Sequence, residues 1–482
     1  MRFLKLVGSI EGICKLLKMS LKSKEIIIES NKPFENCKLD RKKYATILTS
    51  IVNSYSDGFV LAINNKWGTG KTTFVKMWEQ SLKDKKFQTV YFNAWENDFE
   101  NNPLVALMGE LKNIVKKEDN KEFKKLAEKG AVLVKNIAPL LVKSIAEKYL
   151  DSKLLIEGLE KLTEGVSEIF EKEVDEYANR KKGIIEFKKS LEEFIKSTNQ
   201  VKPLIFIIDE LDRCRPDYAI SVLEQIKHFF TVPGIVFILS IDKIQLGNAV
   251  KGVYGSEHID SDEYLRRFID IEYSIPEPEP RNYCKYLYDT LDFDSFFKSD
   301  SRSKYSEIKE DGNGFLTFSQ ILFKNSISTL RQQEKIFAHA RLVLRTFNDN
   351  EYVFPSLFLL LIFIRTLNDT FYNQIKSQVL ILEELQEKFT KIFKQNIQTD
   401  NVNEIIFVHA HLLYFYNNTA LKNKLFEKDD KNLDKLSFFP VIRNEDNNDY
   451  FLRILKHLEQ KYQRQNINFL LDKIELLESV KN

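Results

Sequence analysis

The chain is poor in the residues that build stapled or metal-bound scaffolds. Its 482 residues include four cysteines, Cys14, Cys37, Cys214 and Cys284, and no two lie close together. That spacing argues against a disulfide framework or a zinc ribbon and fits a reducing cytosol. An excess of one charge is also missing. Lys plus Arg number 72 against 70 Asp plus Glu, a net charge of +2, so no overall field draws the chain to nucleic acid. Long apolar runs are absent too. Val132–Leu150 is broken by Lys135, Lys143, Glu147 and Lys148, and Tyr352–Ile364 is only 13 residues long, where a spanning helix needs about 20. Both read as buried or amphipathic helices, and no transmembrane span is expected. Charges scattered through the first residues (Lys5, Glu11, Lys15, Lys18) argue against a cleaved signal peptide. Residues 1–34 read as an N-terminal extension, either an amphipathic helix or a stretch upstream of a start at Met19. The expected location is cytoplasmic, with peripheral membrane association open. There is no internal repeat, no low-complexity tract and no Ser-His-Asp or Cys-His nucleophile set. His409 and His411 are two apart and would not share a helix face, so they do not read as metal ligands.

Against those absences stands one informative stretch, Asn65-Lys66-Trp67-Gly68-Thr69-Gly70-Lys71-Thr72. It matches the phosphate-binding pattern G-x-x-x-x-G-K-[ST] except that Asn65 stands where the first Gly belongs. Phe59–Ile63 before it is an apolar run of strand length. Phe74, Trp78 and Leu82 after it recur at helical spacing. Strand, glycine loop and helix are the context the chemistry needs. Small residues let backbone N–H groups turn toward phosphate oxygens, and a helix N-terminus adds partial positive charge. Trp67, Gly68, Thr69 and Gly70 are the candidate cradle. Lys71 would neutralise β- and γ-phosphate oxygens, Thr72 would ligate Mg²⁺, and Thr73 completes the binding turn.

Strand-like runs recur at Thr89–Asn93, Leu204–Ile208 and Ile235–Leu239, with helical patterns at 38–58 and Tyr218–Phe230. The unbroken apolar strands and their alternation with helices predict a doubly wound α/β domain with a buried parallel sheet. Residues 103–200 are rich in Lys, Glu, Leu and Ile at helical spacing. They read as a helical insertion splitting the core into halves at 35–102 and 201–280. Leu155, Leu159, Leu162, Val166, Ile169 and Phe170 form an amphipathic stripe there. Pro276-Glu-Pro-Glu-Pro280 punctuates the end of the core. A lid-like helical region is expected over 281–350, with a polar loop at 299–314, and a helical C-terminal domain over 351–482, broken by a polar stretch at 427–448.

Ile207-Ile-Asp-Glu-Leu-Asp-Arg213 closes the third strand with two carboxylates, the Walker B arrangement. Asp209 would hold Mg²⁺, and Glu210 would orient and deprotonate the attacking water. Asp212 and Arg213 are either an ion pair with each other or nucleotide contacts. Ser240, with Asp242 as alternate, ends the next strand, where a polar side chain can touch the attacking water or act as a strand-end cap. Arginine would complete the charge balance, and Arg266, Arg267 and Arg331 are the candidates.

With these residues in hand, the chain resembles the KAP family of P-loop NTPases. The resemblance rests on Lys66–Thr72, Phe92-Asn-Ala-Trp-Glu96, Ile208–Pro216, Phe237–Asp242 and Tyr264–Pro276, and it covers roughly residues 35–350. It implies an ATPase core of the kind with an added strand and a catalytic Glu, similar to AAA+ and STAND ATPases. By that analogy Arg267 is a finger and Arg331 a sensor. ATP and Mg²⁺ are the implied cofactors. Many members of the family carry membrane helices in the insertion, which this chain does not convincingly repeat, and prokaryotic members are often linked to anti-phage defence. The expected function is therefore an ATP-hydrolysing regulatory or motor component of a bacterial defence or signalling assembly. It would form a homo-oligomer and act with partner proteins encoded nearby. The alternatives are a nucleotide-gated scaffold with little turnover and a DNA-stimulated ATPase. Nucleic acid has little support, because the Lys-rich stretch at 111–148 is interleaved with Asp and Glu.

Overall fold

The computed structural model describes residues 26–55, 58–115, 121–147, 166–198, 202–393, 401–428, 434–441 and 444–476. The described chain divides into two compact units, Ile26–Glu277 and the part from Pro278 onward.

The first unit is a five-stranded sheet. Its strands are β1 (Phe59–Asn64), β2 (Thr89–Asn93), β3 (Leu204–Asp209), β4 (Ile235–Ile241) and β5 (Ile271–Tyr273). They run in the order β2-β3-β4-β1-β5, every neighbouring pair parallel. β4 is thus inserted between the loop-bearing β1 and the carboxylate-bearing β3. Side chains alternate between two layers. Leu61, Ile63, Ile205, Ile207, Val236 and Ile238 pack beneath α1 (Lys42–Ser54) and α2 (Lys71–Asp84). Their neighbours Ala62, Phe206, Ile208, Phe237 and Leu239 pack into the core on the opposite face. Burial on both faces explains why these strands read as continuous apolar runs, and each buried side chain contributes about 1.5–3 kcal/mol.

Part of the insertion supplies that second layer. α3 (Pro103–Lys112) starts at an Asn102 cap. α4 (Lys121–Glu147) and α5 (Val166–Ser197) pair with each other. Leu126, Leu133, Phe187 and Leu191 join the sheet's core, so this part packs on its own domain. The predicted stripe lies outside the described residues at Leu155, Leu159 and Leu162, as do the side chains of Val166, Ile169 and Phe170. α6 (Pro216–Gln225), with a π turn over Ile226–Phe230, and α7 (Lys243–Tyr254) complete the layer; α8 (Ser261–Arg266) precedes β5.

The second unit is mostly helical: α9 (Pro280–Thr290), α10 (Asp294–Phe297), α11 (Asp311–Lys324), α12 (Leu330–Val343), α13 (Pro355–Leu367), α14 (Asp369–Lys376), α15 (Leu382–Ile392), α16 (Val402–Ala420), α17 (Glu445–Lys461) and α18 (Asn468–Ile474). A small antiparallel hairpin, β6 (Phe426–Lys428) with β7 (Asp434–Leu436), sits in the polar break. The apolar Tyr352–Ile364 segment is core, since α13 buries every residue from Leu357 to Ile364. Among the described residues no helix is long and apolar enough to cross a membrane. One expectation is corrected. The 299–314 segment is not a loop throughout, because α11 begins at Asp311 and runs through Gly312 and Gly314. Gly312 serves close packing: an added Cβ would lie 2.6 Å from Tyr288 Oη and 3.0 Å from Phe297 Cβ.

Candidate functional site

The loop from Asn65 to Gly70 leaves the C-terminal end of β1 and enters α2. Gly68 and Gly70 both have φ of 79°, a left-handed conformation that costs glycine nothing. Gly70 is the residue before α2, and no side chain caps that helix. Its first N–H groups therefore keep their hydrogen-bonding capacity and the positive end of the dipole, which makes an anion site. The carbonyls of the turn point elsewhere. Arg41, buried just before α1, donates from Nη1 to the Gly70 carbonyl (3.1 Å) and from Nη2 to that of Thr69 (2.8 Å). Lys71 Nζ folds back onto the carbonyls of Asn65 and Lys66. Burial pulls its pKa below the usual lysine value, opposed by Asp212, Asp242 and Asp209 nearby. An ammonium hydrogen-bonded to neutral loop carbonyls can turn to a phosphate without breaking an ion pair. Thr72 and Thr73 occupy the first turn of α2.

Asn65, the departure from the consensus, is used. Its Oδ1 accepts from the Ile275 N–H (2.9 Å) and its Nδ2 donates to the Ile275 carbonyl (2.8 Å). Its own N–H donates to the Ile241 carbonyl at 3.1 Å. The side chain thus ties the loop to the chain after β5.

Trp67 is bound twice. Its N–H donates to Asp242 Oδ2 (3.2 Å) and its indole Nε1 donates to Asp212 Oδ2. The same Asp212 oxygen accepts from the Asp242 N–H (2.9 Å), and burial raises the Asp212 pKa. Asp212 therefore links the loop to the end of β4. It is not the partner of Arg213.

Arg213 pairs with Glu210, Nη1 to Oε1 at 2.6 Å, and lies over the Trp95 ring. Glu210 also accepts from Asn93 Nδ2 at 3.4 Å, and its backbone φ is 61°, unusual for a residue with a side chain. Burial raises its pKa, and Arg213 works against that shift. Asp209 sits on the last residue of β3, registered with Asn93 and Ser240 on the neighbouring strands. One carboxylate oxygen accepts from the Glu210 N–H (3.0 Å) and the other from Tyr91 Oη (2.8 Å). Ser240 is fully buried, and its Oγ has no hydrogen-bond partner among the described residues. Asp242, its alternate, caps α7 by accepting from the N–H groups of Ile244 and Gln245.

The sheet order brings these groups together. β1 lies beside β4 and β4 beside β3, so the loop, Ser240 and the Asp209-Glu210 pair share one edge, the edge where ligands bind in open α/β sheets. The sequence assigned no role at the site to three residues: Arg41, Tyr91 and Asn93. Asn93 was visible as the polar end of a strand; the other two carry no local signal. The two arginine candidates of the first unit, Arg266 and Arg267, are not gathered in. Arg267 is exposed at the end of α8, while Arg266 pairs with Glu263 (3.0 Å). Arg331 lies exposed on the first turn of α12, in the second unit. His409 is buried and stacks on Phe389 at 4.7 Å, and no acid, Cys and His cluster able to hold a metal occurs among the described residues.

A family model described as "KAP family P-loop domain" matches residues 41–350. The chain belongs to the KAP family. It is accordingly a nucleotide-binding P-loop NTPase by fold and family, with the loop, Walker B pair and inserted β4 described above. No curated protein matches this KAP chain. Among solved structures it is similar to the ORC2 protein of Aeropyrum pernix, in ADPNP–ADP complexes, at 11% identity, covering 91% of this chain and 97% of that one with a TM-score of 0.32.

Proposed function

We propose that this KAP chain binds Mg-ATP at the Asn65–Thr73 loop and hydrolyses it, as a regulatory or motor ATPase acting with partner proteins. The observation that carries the reading is the convergence on one sheet edge of an uncapped helix N-terminus, the Lys71 ammonium, two oriented carboxylates and an unpartnered Ser240 hydroxyl. The residues fit the cation: Thr72 and Asp209 would hold Mg²⁺, with Asp209 fixed in orientation by Tyr91. When bound, Mg²⁺ neutralises charge on the transferred phosphoryl group. Lys71 would leave the loop carbonyls for the phosphates. Glu210, ionised, would accept the proton of the attacking water, and Ser240 would hold that water or a phosphate oxygen. Arg267, exposed, is the proposed finger toward a neighbouring copy, and Arg331 the proposed sensor. Bacterial anti-phage defence is the proposed setting on family resemblance alone, an associational warrant.

One observation favours a second reading, a nucleotide-gated scaffold with slow turnover. Both carboxylate oxygens of Glu210 are engaged, by Arg213 and Asn93, so the base is restrained. Turnover assays with Lys71→Ala and Glu210→Gln test the site. Wild-type rates in either variant refute it. Sizing with and without ATP separates the two readings, and fast turnover by the isolated chain excludes the scaffold.

A further inference from the structure

The second unit holds a cavity of about 430 Å³ that the nucleotide site does not use. Its size lies within the range typical of small-molecule sites, about 300–1,000 Å³. Phe354, Phe407, Tyr450 and Tyr462 line it, so its walls are aromatic. Phe354, the residue before α13, has a φ of 50°. A bulky side chain in the left-handed region is strained, and such strain concentrates at ligand sites.

The polar groups have a consistent arrangement. His411, on α16, is 6% exposed and lines the cavity. Its Nδ1 donates to the Phe407 carbonyl one turn back at 2.8 Å, which leaves Nε2 as the lone-pair nitrogen. Burial keeps the ring neutral, with its pKa lowered to about 4, and no partner of Nε2 occurs among the described residues. Both lining carboxylates are already neutralised. Glu307 pairs with Lys461 (2.7 Å) and accepts from Tyr352, and Asp311 pairs with Arg302 (2.5 Å). Arg453, exposed on α17 and stacked on Tyr450, lines the cavity with no ion pair among the described residues, and His457 follows it one turn later. The cavity therefore offers aromatic walls, one buried acceptor and an unneutralised cation at an exposed position.

We infer that this cavity binds a small planar aromatic anion: a flat ring with an N–H or O–H donor, joined to a phosphate or carboxylate. The ring would stack among Tyr450, Phe354 and Phe407, its donor would meet His411 Nε2, and its anionic group would pair with Arg453. Nucleoside monophosphates and aromatic acids share this chemistry, and the experiment separates them. Binding of AMP, cyclic AMP, indole-3-acetate and 4-hydroxyphenylacetate to the full chain is measured by calorimetry with Mg²⁺ and a non-hydrolysable ATP analogue saturating the loop. The inference is independent of ATP hydrolysis. The expected result is at least one probe with a Kd below about 1 mM, weakened about tenfold or more by Arg453→Glu, an exposed position that tolerates change, and severalfold by His411→Phe. A phosphate-bearing or carboxylate-bearing winner identifies the source. Three results overturn the inference: no probe binding below about 1 mM, an unchanged Kd in Arg453→Glu, or the neutral counterpart of the best probe (adenosine for a nucleotide, indole or 4-methylphenol for an aromatic acid) binding as tightly as that probe.

Discussion

The Asn65 side-chain amide and the Ile275 backbone exchange two hydrogen bonds, at 2.8 and 2.9 Å. An amide paired with a peptide group imitates one rung of a β-ladder, and here it extends the β1–β5 edge into the phosphate loop. A glycine at position 65 could not do this.

Asn65→Gly restores the loop consensus and is expected to harm the protein. Two partly buried bonds are lost, each worth about 0.5–1.5 kcal/mol net, so denaturant unfolding should show a loss of about 1–3 kcal/mol. Asn65→Asp keeps the acceptor but loses the donor, and its stability should fall between the two.

Ser240→Ala should separate stability from function. A buried hydroxyl without a partner costs stability, so removing it should leave stability unchanged or raise it by about 1 kcal/mol. Turnover should fall about tenfold or more if the hydroxyl holds water or phosphate. Thermal unfolding and steady-state hydrolysis, run on the same preparation, check both halves.

The Glu210–Arg213 pair gives a pH prediction. Glu210 must be ionised to accept a proton, so activity falls as pH drops through its pKa. Burial raises that pKa, so the acid limb of the kcat/KM profile should lie above the ordinary glutamate value of about 4.3. Arg213 lowers it, so Arg213→Gln should move the limb to still higher pH, while a purely structural role for Arg213 would change the rate and leave the limb in place.

Gly312 and Gly314 should respond oppositely to alanine. Both lie within α11, where alanine is favoured by about 1 kcal/mol. A Cβ at Gly314 meets nothing within 4 Å, whereas one at Gly312 meets Tyr288 Oη at 2.6 Å. Gly314→Ala should stabilise by up to about 1 kcal/mol and Gly312→Ala destabilise by about 1–3 kcal/mol, read by denaturant midpoint.

Much of the core was legible because its signals are local. Phe59–Ile63, Leu204–Ile208 and Ile235–Leu239 are apolar without interruption, which only burial on both faces permits, and the strands fall on those runs. Lys71, Asp209 and Glu210 announce themselves by position after such strands. The same reading failed at 299–314, where two glycines looked like turn residues. Whether a glycine serves a turn or a close contact depends on what faces it, here Tyr288 and Phe297, and nothing adjacent in the chain encodes that neighbour.

The sequence by itself therefore determined the strands β1 to β4, the loop and which residue types could carry phosphate chemistry, since backbone propensity and apolar periodicity act over a few residues. Only the tertiary structure decided how they combine. It put β4 between β1 and β3, gave Asp212 to Trp67 and Arg213 to Glu210, and set Arg41 behind the loop's carbonyls. Those side-chain pairings join residues up to 145 positions apart. They arise because buried charges and amides must find partners within the packed fold, whatever their distance along the chain.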